Sequence, residues 1–221
     1  MIILGITGGI GSGKSYVTKI FGALGIPYYD SDDRTKQLYI EHPKLKKELS
    51  ALLGTDVFKD GTLDRQKMAD LIFNNAELLS RVNHLVHPYV VGDFLQWAKP
   101  LRAPYVIFES AILLQMDPPF HTTRVLTVSA DKEIRLSRAA GRNEVHRQSV
   151  LERMDKQWSD KQREAGADFV IESNNRKALL PRVLEVHQTM LNLRTNNNEN
   201  RSYENPVYWG TTGTVPLPDI K

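Results

Sequence analysis

Residues 2–15 of this 221-residue chain read IILGITGGIGSGKS, and this stretch decides the fold. The apolar run Ile2–Ile6 lacks polar alternation, as is typical of a strand buried on both faces of a parallel sheet. Glycines end this strand, and apolar residues then recur at helical spacing over positions 17–24 until Gly25 stops the helix. A second apolar run follows at residues 26–29. The order strand, glycine loop, helix, strand predicts a right-handed parallel crossover.

Three further apolar runs, at residues 105–109, 125–128 and 169–171, have the character of buried strands. Helical patterns separate them, and an amphipathic helix over residues 179–193 closes the series. Strands alternating with helices predict a three-layer α/β fold in which helices flank a sheet of five parallel strands. Residues 31–99 carry almost no strand signal, so we expect a helical subdomain there.

The composition excludes several classes of protein. Hydrophobic residues make up 41% and charged residues 25% of the chain, with a formal net charge of +3, which is ordinary for a globular protein. The absence of cysteine excludes disulfides, thiolate metal sites and cysteine nucleophiles. No apolar run approaches the roughly 20 residues of a membrane helix, and the start has no basic segment typical of a signal peptide. We therefore expect a cytoplasmic protein without a membrane partner.

Residues 8–15 contain a glycine, four residues and then Gly-Lys-Ser, which is the Walker A motif. Glycines let backbone amides curve round a triphosphate, and the start of the next helix adds its dipole. Lys14 can then reach the β- and γ-phosphates, while the Ser15 hydroxyl ligates Mg²⁺. The predicted nucleotide-binding residues of this segment are Gly9, Ile10, Gly11, Ser12, Gly13, Lys14, Ser15 and Tyr16.

Acidic residues stand where other strands end. Asp30 and Asp32 follow the second strand, at the sheet edge where open α/β folds bind ligands. Asp32 can accept a proton from an attacking hydroxyl, although acidic residues and Ser31 also suit helix capping. Glu109 has the position of a Walker B acid that acts on Mg²⁺ through water; a buried acid with a structural partner is the alternative.

A basic stretch runs from residue 135 to residue 163. Arg135, Arg138 and Arg142 are spaced three and four apart, so one helical face can present them together. The favoured interpretation is that these guanidinium groups bind a transferred phosphoryl group, beside a lid that closes on ATP. A solvated helix face and a nucleic-acid patch are the alternatives. Only Trp158 interleaves with the basic residues, so we expect no nucleic-acid partner.

Together these motifs resemble the dephospho-coenzyme A kinase family over residues 1–194. The segments that carry the resemblance are Leu4–Ser15, Asp30-Ser31-Asp32, Asn83–Pro88, Arg135-Leu136 with Arg138, Arg153, Gln157, and Ala167–Ile171 with Asn174. The resemblance implies phosphorylation of the ribose 3′-hydroxyl of dephospho-CoA, with ATP and Mg²⁺ required. It implies small-molecule partners only, ATP and dephospho-CoA, and leaves the oligomeric state open.

The resemblance also implies roles for single residues. Asp32 is the general base, and Lys14, Mg²⁺ and Arg138 stabilise the transferred group. Arg142 and Asn174 join the nucleotide site. The implied substrate-binding residues are Asp32, His87 and Glu109; a histidine at position 87 also suits helix capping or a core position.

Three positions depart from the family pattern. Glu109 stands where the family often has Asp, Gln115 where it has Glu, and Val91 where it tends to have Arg. At the last position the expected phosphate contact has to come from elsewhere, for example from Arg81 or Arg102.

We expect a kinase domain at residues 1–194, with a CoA-binding helical insertion at about 31–99 and a lid at about 138–164. Residues 195–221 form a tail, which we expect to be flexible; a strap packed on its own domain or on a neighbouring subunit is the alternative. Two other functions remain open: a kinase for a nucleoside or nucleotide, and a nucleotide-dependent switch that phosphorylates no small acceptor. A switch has no need of a base at Asp32, so that residue favours a kinase.

Overall fold

The structure, a computed structural model, describes residues 1–72, 75–143 and 147–199, except for the side chains of residues 142–143 and 195–199. The described strands are β1 Ile3–Thr7, β2 Tyr28–Asp30, β3 Phe58–Lys59, β4 Thr62–Leu63, β5 Val106–Glu109, β6 Arg124–Ser129 and β7 Phe169–Glu172. The described helices are α1 Lys14–Ala23, α2 Ser31–Glu41, α3 Pro43–Leu53, α4 Arg65–Ile72, α5 Ala76–Ala98, α6 Lys132–Asn143, α7 Arg147–Asp155, α8 Asp160–Ala165 and α9 Leu180–Glu199. A short 3₁₀ turn covers Leu113–Gln115.

Five strands form one parallel sheet in the order β2-β5-β1-β6-β7. The prediction of a five-stranded parallel sheet flanked by helices is confirmed. The central strand β1 has β5 on one side and β6 on the other, so that Ile6 is in register with both Glu109 and Leu126. The chain leaves β1 through α1 towards β2, while β6 lies on the opposite side. The loop after β1 therefore starts at the point where the strand order diverges, and this is where open α/β sheets bind ligands.

The hydrophobic core of this sheet holds the loop after β1 on a rigid frame. Its fully buried side chains include Leu4 and Ile6 of β1, Val17 and Phe21 of α1, and Met190 of α9. Burying a side chain of this size stabilises the fold by roughly 1.5–3 kcal/mol relative to exposure. The polar strand ends consequently have little freedom to shift.

The chain divides into two compact units. Within the described residues, the first comprises residues 1–30, 102–114, 121–143 and 147–199, and holds the parallel sheet. The second comprises residues 31–72, 75–101 and 115–120, and is mostly helical.

The second unit contains one feature that the sequence did not predict, an antiparallel hairpin of β3 and β4. Its strands have two residues each, which is too short to show an alternating pattern. Asp60 and Gly61 form the turn with φ values of 50° and 76°. Such an Asp-Gly pair is a strong hairpin signal.

Helix α9 ends at Glu199, beyond residue 195, where the predicted tail begins. The remainder of that tail, residues 200–221, lies outside the described residues, as do residues 144–146 of the predicted lid. Across the described ranges, each helix is too short or too polar to span a bilayer.

Candidate active site

The loop between β1 and α1 is shaped to bind an anion. Gly11 and Gly13 have φ values of 76° and 94°, a region that side-chain-bearing residues rarely adopt. The amide of Ser12 donates to the carbonyl of Gly9 over 3.0 Å, which closes the turn. Helix α1 starts directly after Gly13, which provides no side-chain cap. The first amides of a helix lack intrahelical acceptors and carry a partial positive charge, so a phosphate fits here.

Lys14 and Ser15 both contact the carboxylate that ends β5. Lys14 Nζ lies 2.7 Å from Glu109 Oε1, and the Ser15 hydroxyl donates to the same oxygen over 2.7 Å. The side chains of Lys14 and Glu109 are 10% and 1% exposed, so their ion pair is shielded from water. The register of β1 with β5 brings these residues together, because it sets Glu109 opposite Ile6 at the start of the loop.

Glu109 is ionised despite its burial. Desolvation raises the pKa of its carboxyl, but the charge of Lys14 and hydrogen bonds from Lys14, Ser15 and Thr18 outweigh this and hold the pKa below its ordinary value. Removing one partner of a buried ion pair is costly because the other charge is left uncompensated. A ligand that attracts Lys14 must therefore leave Glu109 with another cation.

The oxygen atoms of Ser15 and Glu109 fit Mg²⁺. A hydroxyl and a carboxylate are hard donors, and Mg²⁺ is usually bound through one or two carboxylates plus substrate phosphates. Among the described residues there is no cluster of three or more histidine, aspartate or glutamate side chains that could hold a metal without such help. Tyr16, the next residue on α1, is 62% exposed.

Arg138 on α6 bridges the loop and the end of β7. Its NH1 lies 3.3 Å from the carbonyl of Ser12, and its NH2 donates to the carbonyl of Ser173 over 2.7 Å and to Asn175 Oδ1 over 2.6 Å. The guanidinium therefore lies beside the loop between β1 and α1, held by both backbone and side-chain acceptors. Arg142 lies one turn later on α6, and its side chain is outside the described residues.

Comparison with known proteins identifies the family. The model of the CoaE family, dephospho-CoA kinase, matches residues 2–178. The chain belongs to the dephospho-CoA kinase family. It is therefore an enzyme of the kinase class.

Individual relatives support the same family assignment. Dephospho-CoA kinase from Porphyromonas gingivalis is 38% identical over 197 residues, covering 89% of this chain and 98% of that protein. Its counterpart from Bacteroides fragilis is 36% identical over 186 residues, covering 84% and 91%. The crystal structure of TT1252 from Thermus thermophilus is 30% identical with a TM-score of 0.72, covering 87% of this chain and 97% of that one. Dephospho-CoA kinase from Campylobacter jejuni shares the fold, with a TM-score of 0.51, 23% identity and coverage of 85% and 96%.

The acidic residue that ends β2, Asp30, lies at the same sheet edge as Glu109. Asp30 ends β2 in register with Glu109. Asp32 follows two residues later, exposed in the first turn of α2, where an acidic side chain is favoured by the helix dipole. The predicted role of Asp32 as the base of this dephospho-CoA kinase family member stays a prediction.

Two other predicted nucleotide-binding residues, Asn174 and Ile10, form hydrogen bonds within the protein. Asn174 accepts from the amide of Asp131 over 2.8 Å and donates to its carboxylate over 3.2 Å. The amide of Ile10 donates to Gln157 Oε1 over 2.9 Å, and its carbonyl accepts from Arg135 Nε over 3.0 Å. These side chains and peptide groups thus shape the loop and its surroundings, and any direct contact of theirs with nucleotide stays a prediction.

His87 lies in the helical unit, on α5, and is 7% exposed. Its Nδ1 lies 3.0 Å from the carbonyl oxygen and 3.1 Å from the amide nitrogen of Asp117. Burial lowers the pKa of His87 below its ordinary value, against the opposing effect of Asp117. His87 therefore ties α5 to the segment at residues 115–120. Its predicted place in the substrate pocket stays a prediction.

Two of the residues that depart from the dephospho-CoA kinase pattern, Val91 and Gln115, lie away from the loop between β1 and α1 in the chain. Val91 is 3% exposed on α5 and belongs to the apolar interior of the helical unit. Gln115 ends the 3₁₀ turn. Arg81 and Arg102, the suggested replacements for an arginine at position 91, are both exposed.

One functional candidate was missed from the sequence, Asp160 at the start of α8. It contacts two buried arginines, Arg135 and Arg163. A capping box of Ser159 and Gln162 starts this helix, and the Ser-x-x-Gln spacing is a signal that the sequence does contain.

Proposed function

We propose that this protein transfers the γ-phosphoryl group of ATP to the ribose 3′-hydroxyl of dephospho-CoA, giving CoA and ADP in the last step of coenzyme A synthesis. The observation that supports it most is the match of the dephospho-CoA kinase family over residues 2–178. The contacts of Lys14, Ser15 and Glu109 support it independently, because they provide a cation and hard oxygen donors at an anion-binding loop.

The proposed binding step exchanges partners around Glu109. The amides of the loop and of the first turn of α1 bind the phosphates of ATP. Lys14 leaves Glu109 for the β- and γ-phosphates, and Ser15 and Glu109 would hold Mg²⁺. When bound, Mg²⁺ would neutralise negative charge on the phosphates. Glu109 keeps a cationic neighbour throughout, which avoids the penalty of an unpaired buried carboxylate.

Asp32 is the proposed general base. Its carboxylate accepts the proton of the ribose 3′-hydroxyl as that oxygen attacks the γ-phosphorus in line. The bond from the γ-phosphorus to the β,γ-bridging oxygen breaks, and ADP leaves with the bond pair. The position of Asp32 two residues beyond Asp30, which pairs in register with Glu109, supports this role.

Arg138 and Lys14 stabilise negative charge on the transferred group in this proposal. Arg138 already lies against the loop carbonyls of Gly11 and Ser12, at 3.4 and 3.3 Å from its NH1. A guanidinium at this distance from the loop adds positive charge where the nucleotide binds. His87 and its neighbours in the helical unit are the proposed contacts for dephospho-CoA.

The experiment that tests the proposal measures ADP release from Mg·ATP with a panel of acceptors: dephospho-CoA, shikimate, adenosine and AMP. We expect ADP with dephospho-CoA only. Turnover with a nucleoside or nucleotide but not with dephospho-CoA contradicts the proposed substrate and leaves a different small-molecule kinase. ATP binding without turnover on any acceptor contradicts the proposed reaction and favours a nucleotide-dependent switch.

A further inference from the structure

Two buried arginines contact one carboxylate beside the nucleotide loop, which is the loop between β1 and α1. Arg135 NH1 lies 2.6 Å from Asp160 Oδ2, and Arg163 NH2 lies 2.9 Å from Asp160 Oδ1. The side chains of Arg135 and Arg163 are only 6% and 2% exposed, while that of Asp160 is 26% exposed. All three residues belong to the sheet-containing unit.

Both guanidinium groups pack directly on Gly9 of the loop. A Cβ atom at Gly9 would lie 2.1 Å from Arg135 NH2 and 2.5 Å from Arg163 NH2, closer than real side chains approach. Arg135 Nε also donates to the carbonyl of Ile10 over 3.0 Å. The absence of a side chain at position 9 therefore allows two cations to approach the loop backbone.

The charges in this cluster do not balance. Two guanidinium groups face one carboxylate, which leaves one positive charge without a counterion inside the cluster. Arg163 Nε and NH1 are buried and have no hydrogen-bond acceptor among the residues that the structure describes. A buried, under-satisfied cation is costly, and an anion bound on the other side of Gly9 lowers that cost.

We propose that Arg163 is a positioning residue that raises the affinity for nucleotide phosphates by placing an uncompensated positive charge behind Gly9. Asp160 fixes the guanidinium there without neutralising the pair of arginines. The inference rests on the proposed binding of ATP at the loop. A unit charge acting on a unit anion over roughly 10 Å, at an effective dielectric constant of about 20, changes binding on the order of tenfold.

The test compares the dissociation constants of ATP, ADP and adenosine by isothermal titration calorimetry at low salt. Wild type is measured beside R163M, R163K and D160N. The matched control is K161M, which removes an exposed cation from the same helix. We expect R163M to weaken ATP and ADP on the order of tenfold while adenosine binding is unchanged. R163K, which keeps the charge, restores most of the loss, and K161M matches wild type.

The D160N variant separates charge from geometry. It removes the shared hydrogen-bond acceptor but leaves both guanidinium groups charged, so the preference for ATP over adenosine should stay at or above that of wild type. Equal losses in R163K and R163M, or a loss in D160N as large as in R163M, overturn the charge proposal. If R163M does not fold, as judged by circular dichroism, a D160N protein that binds ATP on the order of tenfold more weakly than wild type, with adenosine binding unchanged, overturns the proposal. A wild-type protein that binds none of the three ligands contradicts the proposed ATP site itself.

Discussion

Lys14 Nζ and Glu109 Oε1 lie 2.7 Å apart in a buried ion pair that joins the nucleotide loop to the end of β5. The same carboxylate oxygen accepts from Ser15. In the proposed binding step ATP competes with Glu109 for Lys14, and Glu109 and Ser15 would then hold Mg²⁺.

The Lys14→Ala variant tests the cation of this pair. We expect the rate of phosphoryl transfer to fall by at least about 10³-fold, the scale on which such enzymes lose rate without a cation at the transferred group. Lys19→Ala removes an exposed lysine from the same helix and should match wild type in a coupled ADP assay. Near-normal turnover by Lys14→Ala contradicts the mechanism.

The stability of Lys14→Ala should also fall, because Glu109 is left buried without its partner. The loss of unfolding free energy should be about 3–5 kcal/mol at neutral pH. The double variant Lys14→Met/Glu109→Gln removes both charges, so it should recover stability without recovering activity. Urea unfolding followed by circular dichroism measures both effects; a double variant no more stable than Lys14→Ala argues against the unpaired charge as the cause.

The low pKa of Glu109 predicts how stability depends on pH. Because the folded-state pKa lies below the ordinary value of 4.5, ionised Glu109 stabilises the protein above that pH, and this contribution is lost as pH falls through the folded-state pKa. Glu109→Gln should therefore show a shallower loss of unfolding free energy below about pH 4.5 than wild type. Parallel urea titrations from neutral to acidic pH measure the two slopes, and identical slopes exclude a depressed pKa at Glu109.

Asp32→Asn tests the base. The substitution keeps the size of the side chain but removes its ability to accept a proton, so kcat should fall by about 10²–10⁴-fold. The ATP dissociation constant should remain near that of wild type. Asp33→Asn changes an exposed acidic residue in the same turn of α2 and serves as the control. Comparable kcat values for Asp32→Asn and wild type assign the base elsewhere.

Ser15→Ala tests the metal ligand. Removal of the hydroxyl should raise the Mg²⁺ concentration needed for half-maximal activity, since one hard oxygen donor is lost. Ser15→Thr keeps the hydroxyl and should restore the wild-type Mg²⁺ requirement. Titration of activity with Mg²⁺ at saturating ATP provides the comparison, and an unchanged requirement in Ser15→Ala places the metal on other ligands.

The sequence predicted the sheet because its five strands are continuous apolar runs that end in polar residues. It also indicated that Lys14, Ser15 and Glu109 lie at one edge of the sheet, since the carboxyl ends of parallel strands lie at the same edge. The β3–β4 hairpin was missed, because strands of two residues show no periodicity.

Contacts between distant segments were harder to predict. The contacts of Arg138 with the loop and with Ser173 and Asn175 depend on how α6 packs against distant segments. The same holds for the two partners of Ile10, and residue spacing contains no such information. Asp160 was missed partly for the same reason, because Arg135, one of its two partners, is 25 positions away in the chain. Its other partner, Arg163, is three positions away, but both belong to a helix of only six residues, which is too short to show a clear pattern.

The central claim is transfer of the phosphoryl group to the ribose 3′-hydroxyl of dephospho-CoA. The most direct measurement is ³¹P nuclear magnetic resonance of the product formed from Mg·ATP and dephospho-CoA, with 3′-deoxy-dephospho-CoA as the matched acceptor. The account predicts a new phosphomonoester coupled to the ribose 3′-proton, and no product from the deoxy compound. A phosphomonoester at another position, or equal turnover of the 3′-deoxy compound, would contradict it.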